Sequence, residues 1–355
     1  LLYYTSGSTG YPKGVLHSAR GLYTWRYSAR HWLDVKPGDR IWCTADTGWS
    51  KAGTSVLFGP WSEGGCAFFY DGPFDTKERL RLLADNAVTI YCAPVTELYR
   101  VVQEDVSQYD ISALRRTVSS GEAMNPAVAD QWKQVSGLNV FEAYGQTETL
   151  MTALTLKGME PRVGSMGVSA PGSDLLIVDD TGAQVANGTV GHIALKLPNP
   201  QMMLGYWKAP EKFEDAVLRG PEGPVFVTGD LGHQDDAGFF WYASRSDDVI
   251  NSAGYRIGPV EVENALLEHD AVLECAVVAS PHAERGEVVK AFIVTKAGVN
   301  GTDALISELQ KHVKHVASPY KYPRRIEFCK DLPKGPTGKI LRRVLRSAEM
   351  KQKVN

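Results

Sequence analysis

The chain opens Leu1-Leu2-Tyr3-Tyr4-Thr5-Ser6-Gly7-Ser8-Thr9-Gly10-Tyr11-Pro12-Lys13-Gly14, and the reading of this stretch decides the fold. A short apolar run predicts a strand. The loop after it holds Gly7, Gly10 and Gly14, the hydroxyls of Thr5, Ser6, Ser8 and Thr9, and Lys13. Glycines let the backbone turn and present N–H groups, hydroxyls add donors and the lysine adds charge, a combination that suits a polyphosphate. The loop is read as lying directly between a strand and a helix, where anions are favoured. Its spacing departs from G-x-x-x-x-G-K-[S/T], which disfavours an ordinary P-loop kinase or ATPase. A bare glycine-rich loop serves equally as a structural turn; the hydroxyl density and the lysine tilt it toward phosphate.

Outward from the loop, residues 1–4, 41–44, 66–70, 88–93, 117–120 and 139–143 predict strands. Between them, Leu22, Trp25, Ala29 and Trp32 recur at helical spacing, Leu80, Leu82, Leu83 and Ala87 do so more loosely, and Asn125-Pro126 starts a helix with proline at its first position. Alternation of this kind predicts a largely parallel sheet covered on both faces. From about 160 to 245 the texture shifts to strands and Gly/Asp turns at 175–179, 192–197, 226–228 and 239–243, which predicts a β-rich subdomain. After Arg245-Ser246-Asp247-Asp248, a helix at 260–268, strands at 272–279 and 288–295, a helix at 304–316 and a strand at 325–329 predict a compact α+β unit. The fold class expected is therefore α/β, with a core over 1–245 and a small C-terminal domain over 246–355.

Composition narrows the function classes. With 355 residues, 43% apolar, and 38 Lys+Arg against 41 Asp+Glu, the chain reads as globular, of about two domains, and not as collagenous, mucin-like or disordered. No apolar run approaches the roughly 18 residues of a membrane helix. Cys43, Cys66, Cys92, Cys275 and Cys329 lie far apart. They make neither a metal pair nor a disulfide framework, and are expected to be reduced core residues of an intracellular protein. Residues 308–355 hold 13 Lys/Arg against 4 Asp/Glu. Without interleaved stacking aromatics, that basic face argues for phosphate or solvent and against nucleic acid.

Six motifs in order carry a resemblance: residues 5–14, Ser120-Gly121-Glu122-Ala123, Tyr144-Gly145-Gln146-Thr147-Glu148-Thr149, Thr228-Gly229-Asp230, Arg245-Ser246-Asp247-Asp248 with Gly254-Tyr255-Arg256, and Pro333-Lys334-Gly335-Pro336-Thr337-Gly338-Lys339. Together they resemble the adenylate-forming superfamily, which includes acyl-CoA synthetases, luciferases and peptide-synthetase adenylation domains. Ala45-Asp46-Thr47-Gly48-Trp49, residues 251–264, residues 285–292 and Pro319-Tyr320-Lys321-Tyr322-Pro323 bring the likeness closest to medium-chain acyl-CoA synthetases. The resemblance implies a large adenylation core followed by a small mobile domain. The implied reaction joins a carboxylic acid to ATP with release of pyrophosphate, then transfers the acyl group from AMP to coenzyme A.

By the same resemblance, the site residues follow. Lys339 would bridge carboxylate and α-phosphate, where negative charge develops and fixed cations help most. Glu148 would hold Mg²⁺, a hard ion that takes few protein carboxylates. Thr147 would hold a phosphate oxygen and Tyr144 would stack on adenine. Thr5, Ser6, Gly7, Ser8, Thr9, Gly10 and Lys13 would cradle phosphates. Gly121, Glu122, Ala123, Glu142, Ala143, Gly145 and Gln146 complete the expected nucleotide set. Asp230 would accept ribose hydroxyls, since an ionised carboxylate takes two hydrogen bonds. Arg245 and Arg256 would meet phosphate and carboxylate oxygens with a fork no lysine copies. Ala253, Gly254, Tyr255, Arg285, Lys314 and Tyr322 match coenzyme A positions, and Asp247 matches the hinge between two working conformations. Trp49 is expected in the acyl pocket or as a core tryptophan.

Acetate-restricted relatives place a tryptophan where this chain has Gly145, so the resemblance favours medium-chain, aryl or branched acids. Expected partners are a small carboxylic acid, ATP, Mg²⁺ and coenzyme A, with no membrane span, in the cytoplasm or mitochondrial matrix. Alternatives are a domain loading a carrier protein, a luciferase-like oxidoreductase and a non-catalytic nucleotide-binding remnant. Family members carry a long segment before the phosphate loop, so a fragment or shortened paralogue is expected, with low activity and exposed sheet edges.

Overall fold

The computed structural model describes residues 1–5, 12–122, 124–334 and 340–352. The chain divides into two compact units, Leu1–Thr228 with Gly232–Tyr242, and Gly229–Leu231 with Ala243–Asn355.

The first unit is built on a twelve-stranded sheet. Its parallel run is Cys66–Phe68, Arg40–Cys43, Ile90–Cys92, Arg116–Ser120 and Val140–Gln146. Residues of Ile90–Cys92 and Arg116–Ser120 are buried throughout, as strands covered on both faces must be. Because side chains alternate along a strand, Trp42 and Tyr91 meet Leu80, Leu83, Leu98 and Trp132 on one face. Ile41, Cys43, Ile90, Cys92 and Val118 meet Ala29, Trp32, Ala52 and Val56 on the other. The helices doing this are Thr76–Asp85, Val95–Val101 and Pro126–Ser136 on the first face, and Ala19–His31 and Ser50–Ser55 on the second. Asn125 caps the helix that Pro126 begins by accepting from the Ala127 N–H, and Gly137 ends it at φ 73°. Ala87 falls outside its expected helix, which stops at Asp85.

Beyond Val140–Gln146 the same sheet continues through Leu150–Leu154, Ser165–Ser169, Phe239–Arg245, Gly223–Gln234, Gly191–Lys196 and Leu175–Val178. The neighbours of Val140–Gln146 and Leu150–Leu154 on this side pair antiparallel. The β-rich texture after residue 160 is thus an extension of the core sheet.

Two expectations for the N-terminus are corrected. Leu2–Thr5 does not join the parallel sheet; it pairs antiparallel with Lys13–Leu16, from Leu2↔Leu16 to Thr5↔Lys13. Gly205–Tyr206 pairs with Lys13–Leu16, completing a three-stranded sheet. The glycine-rich loop therefore joins two strands of a hairpin, and the helix starts only at Ala19, capped by Ser18. Four residues, Lys-Gly-Val-Leu, are too short to register as a strand against the helix pattern that follows. A third correction concerns the cysteines: Cys66 is exposed and Cys329 half-buried, while Cys43, Cys92 and Cys275 are buried and all five are free.

The second unit has a five-stranded sheet ordered Tyr255–Ile257, Ile250–Ser252, Gly286–Thr295, Val272–His282, with Arg325–Phe328 parallel to Gly286–Thr295. Helices Pro259–Leu267 and Asp303–Val316 bury Val262, Leu266, Leu305, Leu309 and Val313 against one face. Leu345 of the helix Arg342–Gln352 packs with Val278, Phe292 and Leu332 on the other. Val272–His282 is an edge strand among the described residues, and its Val277 N–H is taken by the Glu263 carboxylate at 2.8 Å. Arg342 closes a two-point fork on that carboxylate at 2.9 and 2.5 Å, and Lys290 meets the buried Glu349 at 2.5 Å. The edge is blunted by side chains from two different helices. No described helix is long and apolar enough to cross a membrane.

Arg342→Ala leaves Glu263 buried and uncompensated, which should cost the second unit about 3 kcal/mol. Denaturant unfolding followed within this unit checks it; wild-type stability in the variant would show that the fork carries no weight.

Candidate functional site

In the first unit the candidate residues gather where Val140–Gln146 ends and turns into Leu150–Leu154. Thr147 and Glu148 form the turn, both half-buried. The Thr147 carbonyl is held by His17 Nε2 at 2.6 Å, and its hydroxyl lies 3.0 Å from Ser50 Oγ. Burial holds the His17 imidazole below its ordinary pKa, so the neutral ring donates to Thr147 from Nε2, and its buried Nδ1 has no partner among the described residues. Glu148 Oε1 accepts from Tyr206 Oη at 3.0 Å, and the Lys13 ammonium stands over the Tyr206 ring, 5.1 Å from its centre. The structure so brings together Lys13, Thr147 and Glu148, and adds His17, Ser50 and Tyr206. Sequence spacing gave no signal for these three: a lone histidine, a serine and an aromatic pair Tyr206-Trp207 are ordinary in any chain.

The remaining expected residues of this unit separate into two kinds. Thr5 lies opposite Lys13 at the mouth of the hairpin. Gly121 follows the end of Arg116–Ser120, and Glu122 accepts the Thr96 N–H at 3.1 Å. Gln146 Nε2 donates to the Thr228 carbonyl at 3.0 Å. Tyr144 and Ala143 are both buried, each within a hydrophobic core cluster. Glu142 turns inward, where its carboxyl oxygens accept the N–H groups of Gly164 at 2.7 Å and Met124 at 3.3 Å. Its side chain braces backbone. Trp49 is 40% exposed at the N-cap of Ser50–Ser55, which makes it no core residue. Ser6, Gly7, Ser8, Thr9, Gly10, Ala123 and Lys339 lie outside the described residues.

Gly145 receives a backbone reason. The pairing of Val140–Gln146 with Leu150–Leu154 slips between Tyr144 and Gly145, and a Cβ at 145 would fall 1.8 Å from the Leu150 carbonyl oxygen. A side chain there meets main chain, so in this backbone anything larger than glycine requires the bulge to shift.

In the second unit, Asp230 is buried, with Arg245 Nη1 at 3.1 Å; Arg245 Nε also lies 3.4 Å from Asp247. Arg346, from the helix Arg342–Gln352, donates to the Asp247 carbonyl and to Asp248 at 3.2 Å. Burial and the Asp247 charge push the Asp248 carboxyl above its ordinary pKa. Arg256 is exposed, opposite Asn251. Ala253 and Gly254 make the turn between two strands at φ 49° and 87°, and Ala253 N–H donates to the Arg285 carbonyl at 3.0 Å. Tyr255 stacks on Tyr320 at 4.5 Å, and Lys314 stands 4.0 Å over the Tyr322 ring. Ala253, Gly254, Tyr255 and Arg285 therefore share one hairpin region, and Lys314 and Tyr322 pair directly.

Glu148 fits a Mg²⁺ role, since that ion binds through one or two carboxylates and keeps its remaining positions for water and phosphate. Among the described residues no group of three or more His, Cys, Asp or Glu forms a protein cage for a metal.

The class of protein follows from these two halves. Residues 1–207 match the AMP-binding enzyme family, and residues 261–339 match the AMP-binding enzyme C-terminal domain. The chain belongs to the AMP-binding enzyme family. Among particular proteins, it is 43% identical over 98% of its length to the mitochondrial acyl-coenzyme A synthetase ACSM3 of Mus musculus, of which it covers 60%. It is 44% identical over 98% of its length to the human mitochondrial acyl-coenzyme A synthetase ACSM4, again covering 60%. The chain thus spans about 60% of the length of these curated relatives. The anthranilate CoA ligase AuaEII, solved with anthranoyl-AMP, superposes with a TM-score of 0.91 at 33% identity, covering 100% of this chain and 68% of that one. A benzoate CoA ligase from Burkholderia xenovorans gives 0.85 at 29%, covering 97% and 68%.

Two measurements check this geometry. Gly145→Ala should lower the stability of the first unit by about 2 kcal/mol, because a rigid carbonyl fills the Cβ position; calorimetry on the variant reads it, and unaltered melting with a changed acid preference would restore the pocket explanation. Burial raises the Glu142 pKa from 4.5 to about 8. The folded chain then keeps a proton that the unfolded chain releases above about 4.5, so this group's contribution to stability falls as pH rises through that window. Melting temperatures of wild type and Glu142→Gln between those limits should converge toward the acidic end and diverge toward the basic end, the variant losing less.

Proposed function

We propose that the chain is the catalytic portion of an acyl-CoA synthetase: it activates a carboxylic acid with ATP to acyl-AMP and pyrophosphate, then passes the acyl group to coenzyme A. The observation that carries the reading is the convergence of Lys13, Thr147 and Glu148 in the first unit, one cation, one hydroxyl and one carboxylate set for a nucleotide's phosphates. The likeness to acyl-coenzyme A synthetases over 98% of the chain supports it.

In this reading Lys13 and the glycine-rich loop bind the β- and γ-phosphates. Thr147, its carbonyl fixed by His17, orients its hydroxyl toward the α-phosphate. Lys339 draws the carboxylate and the α-phosphate together, an electrostatic and orienting contribution worth most as charge develops. Mg²⁺, when bound at Glu148, neutralises phosphate charge and favours departure of pyrophosphate. Asp230 orients the ribose, with Arg245 holding the Asp230 carboxylate. Tyr144, Gly121, Glu122 and Ala123 border the adenine, and Arg256 meets anionic oxygens. Residues 1–245 form the core, residues 246–355 the small domain, and Asp247 the hinge. Gly254, at φ 87° with no atom within 4 Å of a Cβ there, leaves room for a pantetheine arm. Ala253, Tyr255, Arg285, Lys314 and Tyr322 then contact coenzyme A.

The acid is proposed to be a medium-chain, branched or aryl carboxylate; the AuaEII and benzoate ligase likenesses support aryl acids. The named relatives are mitochondrial, which supports a mitochondrial setting. Carboxylate-dependent exchange of pyrophosphate into ATP, run with acetate, butyrate, octanoate and benzoate, tests the reading. Exchange with the larger acids, abolished by Lys339→Ala while supplied acyl-AMP still yields thioester, is the expected result. ATP binding without exchange would favour a nucleotide-binding remnant, and thioester formation on a carrier protein in place of free coenzyme A would favour the carrier reading.

A further inference from the structure

The Lys13 charge lies at the start of a strand and the Glu148 charge in a turn, yet one side chain outside the motifs quoted above touches both. Tyr206 donates its hydroxyl to Glu148 Oε1 at 3.0 Å, and its ring face lies under the Lys13 ammonium, 5.1 Å from ring centre to nitrogen. Its own placement is fixed by backbone. Gly205 and Tyr206 pair with Leu16 and Val15, Leu204 N–H donates to Leu16 O at 2.7 Å, and Trp207 N–H donates to Gly14 O at 2.7 Å. Met203 N–H donates to the Glu148 carbonyl at 2.9 Å. Residues 203–207 are thus sewn along one side to the strand that carries Lys13, and at their start to the residue that carries the carboxylate. Tyr206 is 8% exposed, so its position is dictated by packing as well.

The two charges are of opposite sign and form no direct salt bridge among the described residues. A bare lysine and glutamate at this range would close on each other and neutralise the charges that a metal-nucleotide needs. An aromatic ring takes the cation on its face and a phenol presents its proton at its edge, so one tyrosine can satisfy both and keep them apart. The hydroxyl engages Oε1, and Oε2 of Glu148, which has no partner among the described residues, is left for a metal ion. Outer partners of this kind set the direction and strength of a ligand.

We infer that Tyr206 is the positioning residue of the metal-nucleotide site, its hydroxyl aiming the Glu148 carboxylate and its ring parking the Lys13 ammonium until phosphate arrives. The inference rests on the function proposed above and adds to it a residue that acts through two others. The two effects are separable, because phenylalanine keeps the ring and loses the hydroxyl, whereas leucine loses both.

The test is binding, read apart from turnover. Mn²⁺ is titrated into the chain with a non-hydrolysable ATP analogue and free Mn²⁺ is followed by electron paramagnetic resonance; analogue binding without metal is measured separately by calorimetry. Tyr206→Phe should weaken Mn²⁺ binding about tenfold, within the range outer-partner losses show, and leave metal-free analogue binding within about twofold. Tyr206→Leu should add a severalfold loss of metal-free analogue binding, and Lys13→Met should reproduce that added loss alone. Equal Mn²⁺ affinity in wild type and a folded Tyr206→Phe overturns the inference and leaves the function intact. Failure of the wild type itself to bind metal with the analogue overturns both. Where Tyr206→Leu does not fold, the Tyr206→Phe comparison decides alone.

Discussion

A strand buried on both faces can present polar groups to solvent only at its ends, and that constraint organises the first unit. Arg116–Ser120 and Val140–Gln146 are covered by helices above and below, so the chemistry accumulates where they emerge, at Gly121-Glu122 and at Thr147-Glu148. This is the general behaviour of parallel sheets, whose ligand sites lie beyond the carboxyl ends of the strands. The neighbouring hairpin then becomes necessary. Residues exposed at a strand end need an external scaffold to hold them, and Lys13–Leu16, with His17 beyond it, supplies that scaffold through the Thr147 carbonyl and through Tyr206.

The same economy governs what was and was not legible in the sequence. Strands such as Arg40–Cys43 and Ile90–Cys92 followed from their apolar runs, as burial on both faces favours, whereas Arg116–Ser120 is buried throughout with Val118 as its one apolar residue. The helix at Pro126 was marked by its cap. The hairpin was not, because four residues with an apolar pair fit a helix approach as well as a strand. Motif residues could be named from resemblance, but their orientation could not: Glu142 sits within a recognised stretch, yet its carboxyl group braces the Met124 and Gly164 amides. Gly145 shows the reverse problem, a residue whose absence of side chain suggested an open pocket and whose neighbour is a carbonyl oxygen. His17, Ser50 and Tyr206 act through contacts between segments distant in sequence, which no local pattern encodes.

The second unit solves a different problem. Its sheet has an edge, and the unpaired amide of Val277 would otherwise offer a template to another chain. Glu263 occupies that amide and Arg342 neutralises Glu263, so protection of the edge, packing of Leu345 and the placing of Arg346 against Asp247 and Asp248 are consequences of one helix being in position. The stretch that carries Lys339 precedes that helix directly in sequence.

The Glu263–Arg342 fork also has a bearing on biosynthesis. A ribosome makes the chain from the N-terminus, so Glu263 and the edge strand leave the exit tunnel before Arg342 exists. During that interval the carboxylate that guards the strand has no counter-charge, which weakens the guard and invites pairing between nascent chains on one polysome. Translation speed across the stretch from Val272–His282 to Arg342 therefore sets how long that hazard lasts, and slow codons or a pause there would be paid in aggregated product.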